Sequence, residues 1–442
     1  MGTFWSNARG QMARFLRGNR NPGDGHPSTS PSSSIDSANL EGEACPVEFD
    51  TALPVEHNYL GENLVELRGR TVLDDGSLQR LPLLPQLGVV LVPGQTLPLM
   101  VFYPPTVSML RNIITTNGTF GVICVRSHEA SNPKMVNIGT TAEIYEYRDE
   151  EELAGFCIKA KGRQRFRVVE SQRQVDGNIT ATVKILPEII LPDSLHEVRD
   201  RSLDRYRSEP VGIVGSVSLN SRRRLRRQQA ISQRDAMMTV WPHWVHNQYN
   251  ATMLMHRVRL QLSYLKLGSA SENLQLPNDP AELSYWVAQA LPLLDEQRLS
   301  LLQINSPIQR LRWELCVLEK CQMLCCRDCD AQLADPREAF LMSAEGPQGT
   351  YVNPGGFVHE TLTLHKAQGL RCLNEEPSTE YSWFPGYAWT IAGCRYCHKH
   401  IGWKFTATEK LMKPQRFWGV CRRSVVTKLV TEEDLEQKCF EF

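Results

Sequence analysis

Two Cys-x-x-Cys pairs constrain this chain more than any other feature of its sequence. Cys326 and Cys329 form the first pair, and Cys394 and Cys397 repeat its spacing after 64 intervening residues. Two residues between ligands allow one tight turn to present both sulfurs to one ion, and Zn²⁺ prefers four thiolates in tetrahedral structural sites. Because four protein ligands leave no position for a reacting water, we predict one structural zinc ion and no catalytic metal.

Other uses of these cysteines are less favoured. Cys325 could replace Cys326 at a spacing of three residues, and Cys394 to His398 also spells the Cys-x-x-Cys-His pattern of haem attachment. The second, matching cysteine pair argues against haem. Thirteen cysteines is an odd number, and the sequence shows no secretory signal, so a disulfide framework is the weaker interpretation.

Tryptophans concentrate beside the second cysteine pair. Three of the nine in the chain, Trp383, Trp389 and Trp403, lie within 21 consecutive positions. Large aromatic residues could simply form the core of a small domain that has little other apolar surface. Alternatively, indole faces around a concave space could hold a cation, or a compact ring whose polar edge is read by backbone groups. A Pro385-Gly386 turn between the first two indoles can aim both at one space.

The chain as a whole is long enough for two or three domains, at 442 residues and 41% apolar content. Lysine plus arginine equals aspartate plus glutamate at 49 each, so no global field favours nucleic acid or membrane as a partner. Residues 1–46 are rich in arginine, then in Ser, Pro and Gly, and we predict a disordered tail. Prolines and a glycine interrupt the apolar run at 87–103, so we expect no transmembrane segment.

Residues 47–189 are predicted to form a mostly β domain. Short apolar runs punctuated by Pro and Gly occur at 81–105, 118–127, 139–147, 155–170 and 179–188. The proline-studded opening, a Gly-Thr-x-Ala-x-Ile strand and the Lys-Gly-Arg turn at 161–163 are similar to the amino-terminal substrate-recognition domain of Lon proteases. The chain has no Gly-x-x-x-x-Gly-Lys-Ser/Thr phosphate loop, which excludes ATP-driven proteolysis.

Residues 190–320 show helical periodicity. Asp279-Pro280 and Ser306-Pro307 each place a capping residue before a proline at the first helical position, with an acid or amide three residues after the cap. Apolar residues then recur at spacings of three and four in the second helix, at Ile308, Leu311, Leu315 and Leu318.

Two features of this helical region have more than one interpretation. The basic run from Arg222 to Arg227 suits a nuclear-localisation or phosphate-binding patch, but we interpret it as a solvated loop. Core packing is the default interpretation of Trp241, Trp244 and Trp286, although some of them could instead dock a partner.

Residues 321–429 are predicted to form a small antiparallel β domain closed by zinc, followed by an acidic tail at 430–442. The complete prediction is an α+β multidomain chain: a mostly β Lon N-terminal-like domain, a helical insertion that completes it, and a small zinc-bound antiparallel β domain.

Long sequence segments between residues 48 and 428 resemble the cereblon family. They are FDTALP, VPGQTLPL, GTTAEIY, YVNPGG, VHETLT, STEYSWFPGYAWT and HIGWKFTAT. The resemblance implies that the last domain is a thalidomide-binding (CULT) domain and that the four cysteines at 326, 329, 394 and 397 are its zinc ligands. The resemblance also implies a pocket for glutarimide rings, with Trp383, Trp389 and Trp403 as its walls and Phe405 as its base. The backbones of Tyr381 and Trp383 would contact the imide, and Asn353 would lie on a neighbouring loop.

The resemblance further implies a function. Cereblon-like proteins are non-catalytic substrate receptors of a cullin-four RING E3 ubiquitin ligase, located in the cytoplasm and nucleus. Their helical insertion docks on the β-propeller adaptor of the ligase, and their pocket reads thalidomide-like drugs or carboxy-terminal cyclic imides of substrate proteins. Tyr381 and Gly355 each stand where the family usually has histidine. We expect the pocket to survive, because the contacts at 381 come from backbone, whereas position 355 alters the rim.

Two other classes of function compete with this one. Small zinc-bound β folds include methionine sulfoxide reductases, but neither Cys372 nor Cys421 lies in a recognisable reductase motif. A zinc-ribbon nucleic-acid binder is disfavoured by the balanced charge and by the lack of a basic stripe beside the tryptophans.

Overall fold

The computed structural model describes residues 47–428, with gaps at 62, 70, 127–133, 151–154, 196–197, 199–201, 203–218, 266–275, 321–322 and 374–375. The predicted tails at 1–46 and 430–442 lie outside these residues. The contacts described below belong to Glu48–Phe442, which forms one compact unit. Within the described ranges, no helix combines the length and apolar character needed to cross a membrane.

A closed β-sheet forms the first part of the fold. The strands in this part of the chain are β1 (Val47–Glu48), β2 (Val65–Glu66), β3 (Leu78–Leu87), β4 (Thr96–Val101), β5 (Thr119–Arg126), β6 (Lys134–Glu150), β7 (Gly155–Arg173) and β8 (Ile179–Ile185), and a short helix α1 covers Leu53–Glu56. All of these strands except β1 belong to the closed sheet. The sheet order is β2-β6-β5-β3-β8-β7-β4, and an additional β6–β7 pairing closes it into a barrel. The mostly β prediction for this segment is confirmed.

One helix inside this segment was missed by the sequence analysis. Helix α2 (Pro104–Thr115) begins with two prolines, which suit the first helical turn because their missing N–H groups have no partner there. Val107, Leu110 and Ile113 share one buried face. A single 12-residue helix between strand-like runs offers too few repeats of the helical period to stand out.

The helical region follows the barrel. Its helices are α3 (Leu219–Ala236), α4 (His243–Asn247), α5 (Ala251–Tyr264), α6 (Pro280–Ala290), α7 (Asp295–Gln303) and α8 (Pro307–Lys320). Both predicted helix starts are confirmed. The Asp279 carboxylate accepts hydrogen bonds from the N–H groups of Ala281 and Glu282 at 2.8 and 3.0 Å. The predicted apolar face of α8 is buried, as all four of its residues are at most 8% exposed.

Two interpretations of this region were wrong. The Arg222–Arg227 run lies inside α3 and not in a loop, because residues 219–236 contain neither Gly nor Pro and are rich in the good helix formers Arg, Gln and Ala. Trp241 and Trp244 are not core residues, since 60% and 63% of their surfaces are exposed. Trp286 does pack against the core.

The last domain consists of two antiparallel sheets and a further short strand. Its strands are β9 (Met323–Cys326), β10 (Gln332–Ala334), β11 (Gln348–Val352), β12 (Val358–Leu364), β13 (Leu370–Cys372), β14 (Tyr387–Cys394), β15 (His400–Ala407), β16 (Met412–Lys413), β17 (Arg416–Cys421) and β18 (Val425–Lys428). The larger sheet has the order β11-β12-β17-β15-β14-β13, the smaller has the order β10-β9-β18, and the short strand β16 belongs to neither of them. These sheets confirm the predicted fold class.

A buried charge network joins the three parts of the chain. Glu360 of β12 accepts hydrogen bonds from Arg298 of α7, from Arg422 Nε at 2.7 Å and from Gln95 Nε2 of the barrel at 3.0 Å. All four side chains are at most 5% exposed. Burial alone would raise the pKa of Glu360, but the charges of Arg298 and Arg422 outweigh it and lower the pKa to about 2.

Breaking this network should destabilise the chain strongly. Glu360→Gln removes the charge that both arginines share, so we expect it to lower the free energy of unfolding by about 3–5 kcal/mol at pH 7, as loss of one buried partner does. Chemical denaturation of the zinc-loaded protein measures this. The control is Asp335→Asn, which breaks the exposed pair between Asp335 and Arg337 and should cost under about 1 kcal/mol. Equal losses in the two variants would contradict the assignment.

Candidate zinc centre and aromatic ligand site

The four predicted cysteine ligands lie together. The Sγ atoms of Cys326 and Cys397 are 3.6 Å apart, as are those of Cys329 and Cys394, and all four sulfurs lie within 4.8 Å of one another. Zn–S bonds of about 2.3 Å in a tetrahedral site place sulfurs about 3.8 Å apart. The four thiols therefore form a site compatible with one Zn²⁺ ion.

Two matching turns present these cysteines. Asp330 and His398 each stand four residues after the first cysteine of a pair and have φ values of +60° and +61°. Their N–H groups donate to the carbonyls of Cys326 and Cys394 at 2.9 and 3.0 Å. His398 is thus a turn residue, which accounts for the haem-like pattern. Cys325 is outside the sulfur cluster, because neighbouring strand residues point to opposite faces.

The sheet register places three of the predicted ligand-site residues on one face. Trp389 of β14 is the cross-strand partner of Phe405 of β15, and Trp403 precedes Phe405 by two residues on the same strand. Cross-strand partners and residues two apart share a sheet face. Phe405 is 1% exposed and stacks on Phe417 at 4.9 Å, whereas both indoles are half-buried. The indoles therefore stand over an aromatic floor.

Trp383 reaches the same face from the loop before β14. Its ring meets that of Trp403 edge to face at 4.6 Å, and a turn with Gly386 at φ +81° leads the chain from Trp383 to β14. The indole Nε1 atoms of Trp383 and Trp389 donate to the carbonyls of Val352 and Glu380 at 3.2 and 2.8 Å. Both polar indole edges are thereby satisfied by backbone.

Trp389 stands apart from the other two indoles. Among the described residues its ring forms no aromatic pair, whereas Trp383 and Trp403 contact each other directly. Trp389 packs against the same aromatic cluster as Trp383 and Trp403 and stays half-buried.

The backbone beside these rings offers one acceptor and one donor. Tyr381 has a left-handed φ of +53°, a conformation that costs a non-glycine residue about 1 kcal/mol. Within the described part of the chain, neither the Tyr381 carbonyl nor the Trp383 N–H takes part in a hydrogen bond. The loop thus presents unused polar groups at the edge of an aromatic site.

His359 and Tyr351 also belong to this site, and the sequence analysis did not identify them. Tyr351 stacks on Trp383 at 5.1 Å, and the His359 ring lies 5.7 Å from Trp383 and 5.1 Å from Trp403. Burial, reinforced by the charges of His400 and Arg423, lowers the pKa of His359 to about 4. His359 is therefore neutral at pH 7. The alternation of the VHETLT run was the only sequence signal for its position.

Asn353 and Gly355 lie in the turn after β11. The Asn353 side-chain oxygen accepts the N–H of Phe357 at 2.9 Å, and its Nδ2 lies 3.5 Å from His359 Nε2. A Cβ atom added at Gly355 would meet nothing closer than 3.4 Å. Asn353 thus shapes the turn beside His359, and position 355 has room for a side chain.

The burial of His57 predicts that acid lowers the folding stability of the protein. Burial, with the charge of Lys159, lowers the pKa of His57 to about 3, against about 6.5 in an unfolded chain. Between these values the unfolded state binds more protons, so stability falls as the pH falls from about 6.5. We expect His57 to cost about 2 kcal/mol of stability between pH 7.5 and 5.

When the pH falls from 7.5 to 5, the His57→Gln variant should therefore lose about 2 kcal/mol less folding stability than the parent protein. Denaturation of the zinc-saturated protein at both pH values measures the difference, with His243→Gln as the control. An equal loss in the parent and in His57→Gln would show that His57 is not the sensitive group.

Comparisons with known proteins match both halves of the chain. Residues 80–320 match the family described as "ATP-dependent protease La (LON) substrate-binding domain", and residues 322–438 match "Yippee zinc-binding/DNA-binding /Mis18, centromere assembly". A solved Lon N-terminal domain protein from Xanthomonas campestris covers 54% of this chain and 98% of its own, at 22% identity and a TM-score of 0.31.

Whole-length relatives decide the family. Protein cereblon of Gallus gallus is 45% identical over 88% of this chain and 87% of its own length. The chain belongs to the cereblon family. Protein cereblon of Danio rerio is 43% identical over 88% of this chain and 90% of its own, and that of Drosophila virilis is 31% identical over 86% and 57%. Membership of the cereblon family is consistent with a substrate-receptor role.

Proposed function

We propose that this chain is a non-catalytic substrate receptor of a cullin-four RING E3 ubiquitin ligase, and that its aromatic site binds one uncharged cyclic imide. The ligand would be the glutarimide ring of a thalidomide-like drug or a carboxy-terminal cyclic imide on a substrate protein. The observation that supports this most is the position of three indoles beside an unused backbone acceptor and an unused backbone donor.

The imide edge is complementary to this backbone. The imide N–H would donate to the Tyr381 carbonyl, and one imide carbonyl would accept the Trp383 N–H. Burying such a polar ring without partners would cost a few kcal/mol. Trp389, Trp403 and Phe405 would exclude water from the ring faces, while the neutral His359 adds no charge. Because Tyr381 contributes its backbone, the tyrosine side chain leaves this recognition intact.

An exposed apolar segment in the helical region supports docking on the β-propeller adaptor of the ligase. It consists of large side chains that are 60–91% exposed, namely Met237, Met238, Val240, Trp241 and Trp244. Exposed apolar patches of this kind mark interaction sites, and Trp and Met are enriched at interfaces. We call these five residues the docking patch. It contributes nothing to the ligand site, so the two functions should separate by mutation.

A reductase is disfavoured by the state of the nearest thiol. Cys421 lies 3.9 Å from His359 Nδ1, but burial raises its pKa to about 12. A buried thiol that stays protonated is a poor nucleophile. Cys372 is exposed on β13, and no histidine or cysteine contact with it is found among the described residues.

Reconstituted ubiquitin transfer tests the proposal. The ligase assembled with this chain should ubiquitinate a protein that ends in a cyclic imide, and it should leave the matched protein with an open-chain amide terminus unmodified. Free glutarimide should inhibit the transfer. Equal modification of both substrates would refute imide recognition, and no modification of either would refute the receptor role.

A further inference from the structure

The exposed face of helix α3 carries four arginines and leads into the docking patch. Arg223, Arg226, Arg227 and Arg234 are all exposed, whereas Ser232 and Ala236 on the opposite side are buried. At 3.6 residues per turn, the four arginines fall within an arc of about 100°. Met237 and Met238 continue the same arc directly beyond the helix end.

In the part of the chain that the structure describes, these four arginines face solvent. None of the four forms an ion pair with any residue in the described part of the chain. No acidic residue is exposed at the helix positions whose side chains are described, because Asp235 is only half-exposed. The whole chain has no net charge, so this stripe is a local concentration of positive charge and not a sample of a basic surface.

We infer that the arginine face of α3 is the electrostatic half of the docking surface, and that the partner bound by the docking patch carries an acidic rim beside its apolar cleft. This inference rests on the adaptor docking proposed above. Rim charges mainly accelerate encounter, while buried apolar anchors set the dissociation rate. The arginines should therefore steer association, and Trp241 and Trp244 should hold the complex together.

Association kinetics with the purified β-propeller adaptor test this inference. The variant R223E/R226E/R227E/R234E should lower the association rate constant at least about tenfold at 20 mM NaCl, and less than about twofold at 500 mM, because salt screens exposed charges. Its dissociation rate should stay within about twofold of the parent's. The control R371E/K399E/K410E/R416E makes the same charge change on exposed residues of the zinc domain and should leave association unchanged.

Each outcome decides a separate point. An unchanged association rate at 20 mM, or an equal fall in the control, overturns the inference. Trp241→Ala should raise the dissociation rate; if it does and the charge reversal has no effect, the docking proposal survives alone. If neither variant changes docking, both the docking proposal and the arginine inference fail.

Binding to single-stranded DNA or to anionic vesicles tests whether the arginines serve another partner. Loss of that binding in the charge-reversal variant, with adaptor association unchanged, would assign the arginines to such a partner and overturn the inference. Replacing the same four arginines with glutamine controls for any loss of helix caused by the glutamates. This neutral variant should change the logarithm of the association rate constant by about half as much as the charge reversal does.

Discussion

Trp389→Ala should weaken glutarimide binding by at least about 30-fold, which corresponds to about 2 kcal/mol, as expected for a central aromatic anchor. Trp389 stands beside Phe405 on the sheet face that also carries Trp403. Its removal opens the ring faces of the ligand to water and frees the Glu380 carbonyl that its Nε1 now engages. Isothermal titration with glutarimide measures the loss.

Trp244→Ala is the matched control for this variant. It removes a tryptophan that is 63% exposed in the docking patch, so it should leave glutarimide affinity unchanged and weaken adaptor binding. Trp389→Ala should do the reverse. If both variants weaken both interactions, the ligand site and the docking patch are not separate surfaces.

Loss of one zinc ligand should unfold the zinc domain. Cys394 ends β14, the strand that carries Trp389, so Cys394→Ser removes both a metal bond and the anchor of that strand. Structural zinc contributes about 10–16 kcal/mol to the folding of small zinc domains, and metal binding and folding are coupled. We expect no bound zinc, loss of the tryptophan near-ultraviolet circular dichroism of the domain, and no glutarimide binding.

Cys372→Ser is the control for the zinc prediction. Cys372 is exposed on the neighbouring strand β13 and lies outside the sulfur cluster. This variant should keep one zinc per chain and bind glutarimide like the parent. Full zinc content and unchanged binding in Cys394→Ser would contradict the structural role of the metal.

Features of the structure that depend on a few neighbouring residues could be predicted from the sequence. The cysteine pairs could be assigned because a spacing of two residues defines a turn by itself. The start of α6 could be assigned because Asp279 caps its own helix. The Arg222–Arg227 run misled for the opposite reason: charge indicated solvent correctly, but it does not distinguish a loop from an exposed helix.

Side-chain contacts that depend on the register between paired strands could not be predicted from the sequence. Trp389 and Phe405 share a face only because they are partners across β14 and β15, and His359 enters the site only through its place on β12. Spacing showed that the tryptophans were clustered, and only the family resemblance assigned them to a pocket. The partners of Glu360 are separated by more than 300 positions, from Gln95 to Arg422, so no local pattern could reveal that network.

Calorimetric titration of the zinc-loaded chain with glutarimide and with N-methylglutarimide tests the central claim most directly. The methyl group removes the N–H that would donate to the Tyr381 carbonyl and places a methyl against that oxygen. We predict saturable one-to-one binding of glutarimide and at least about a tenfold weaker interaction with the methylated ring, the loss expected when a buried acceptor stays unpaired. Equal affinities for the two rings, or no binding of glutarimide, would contradict the account.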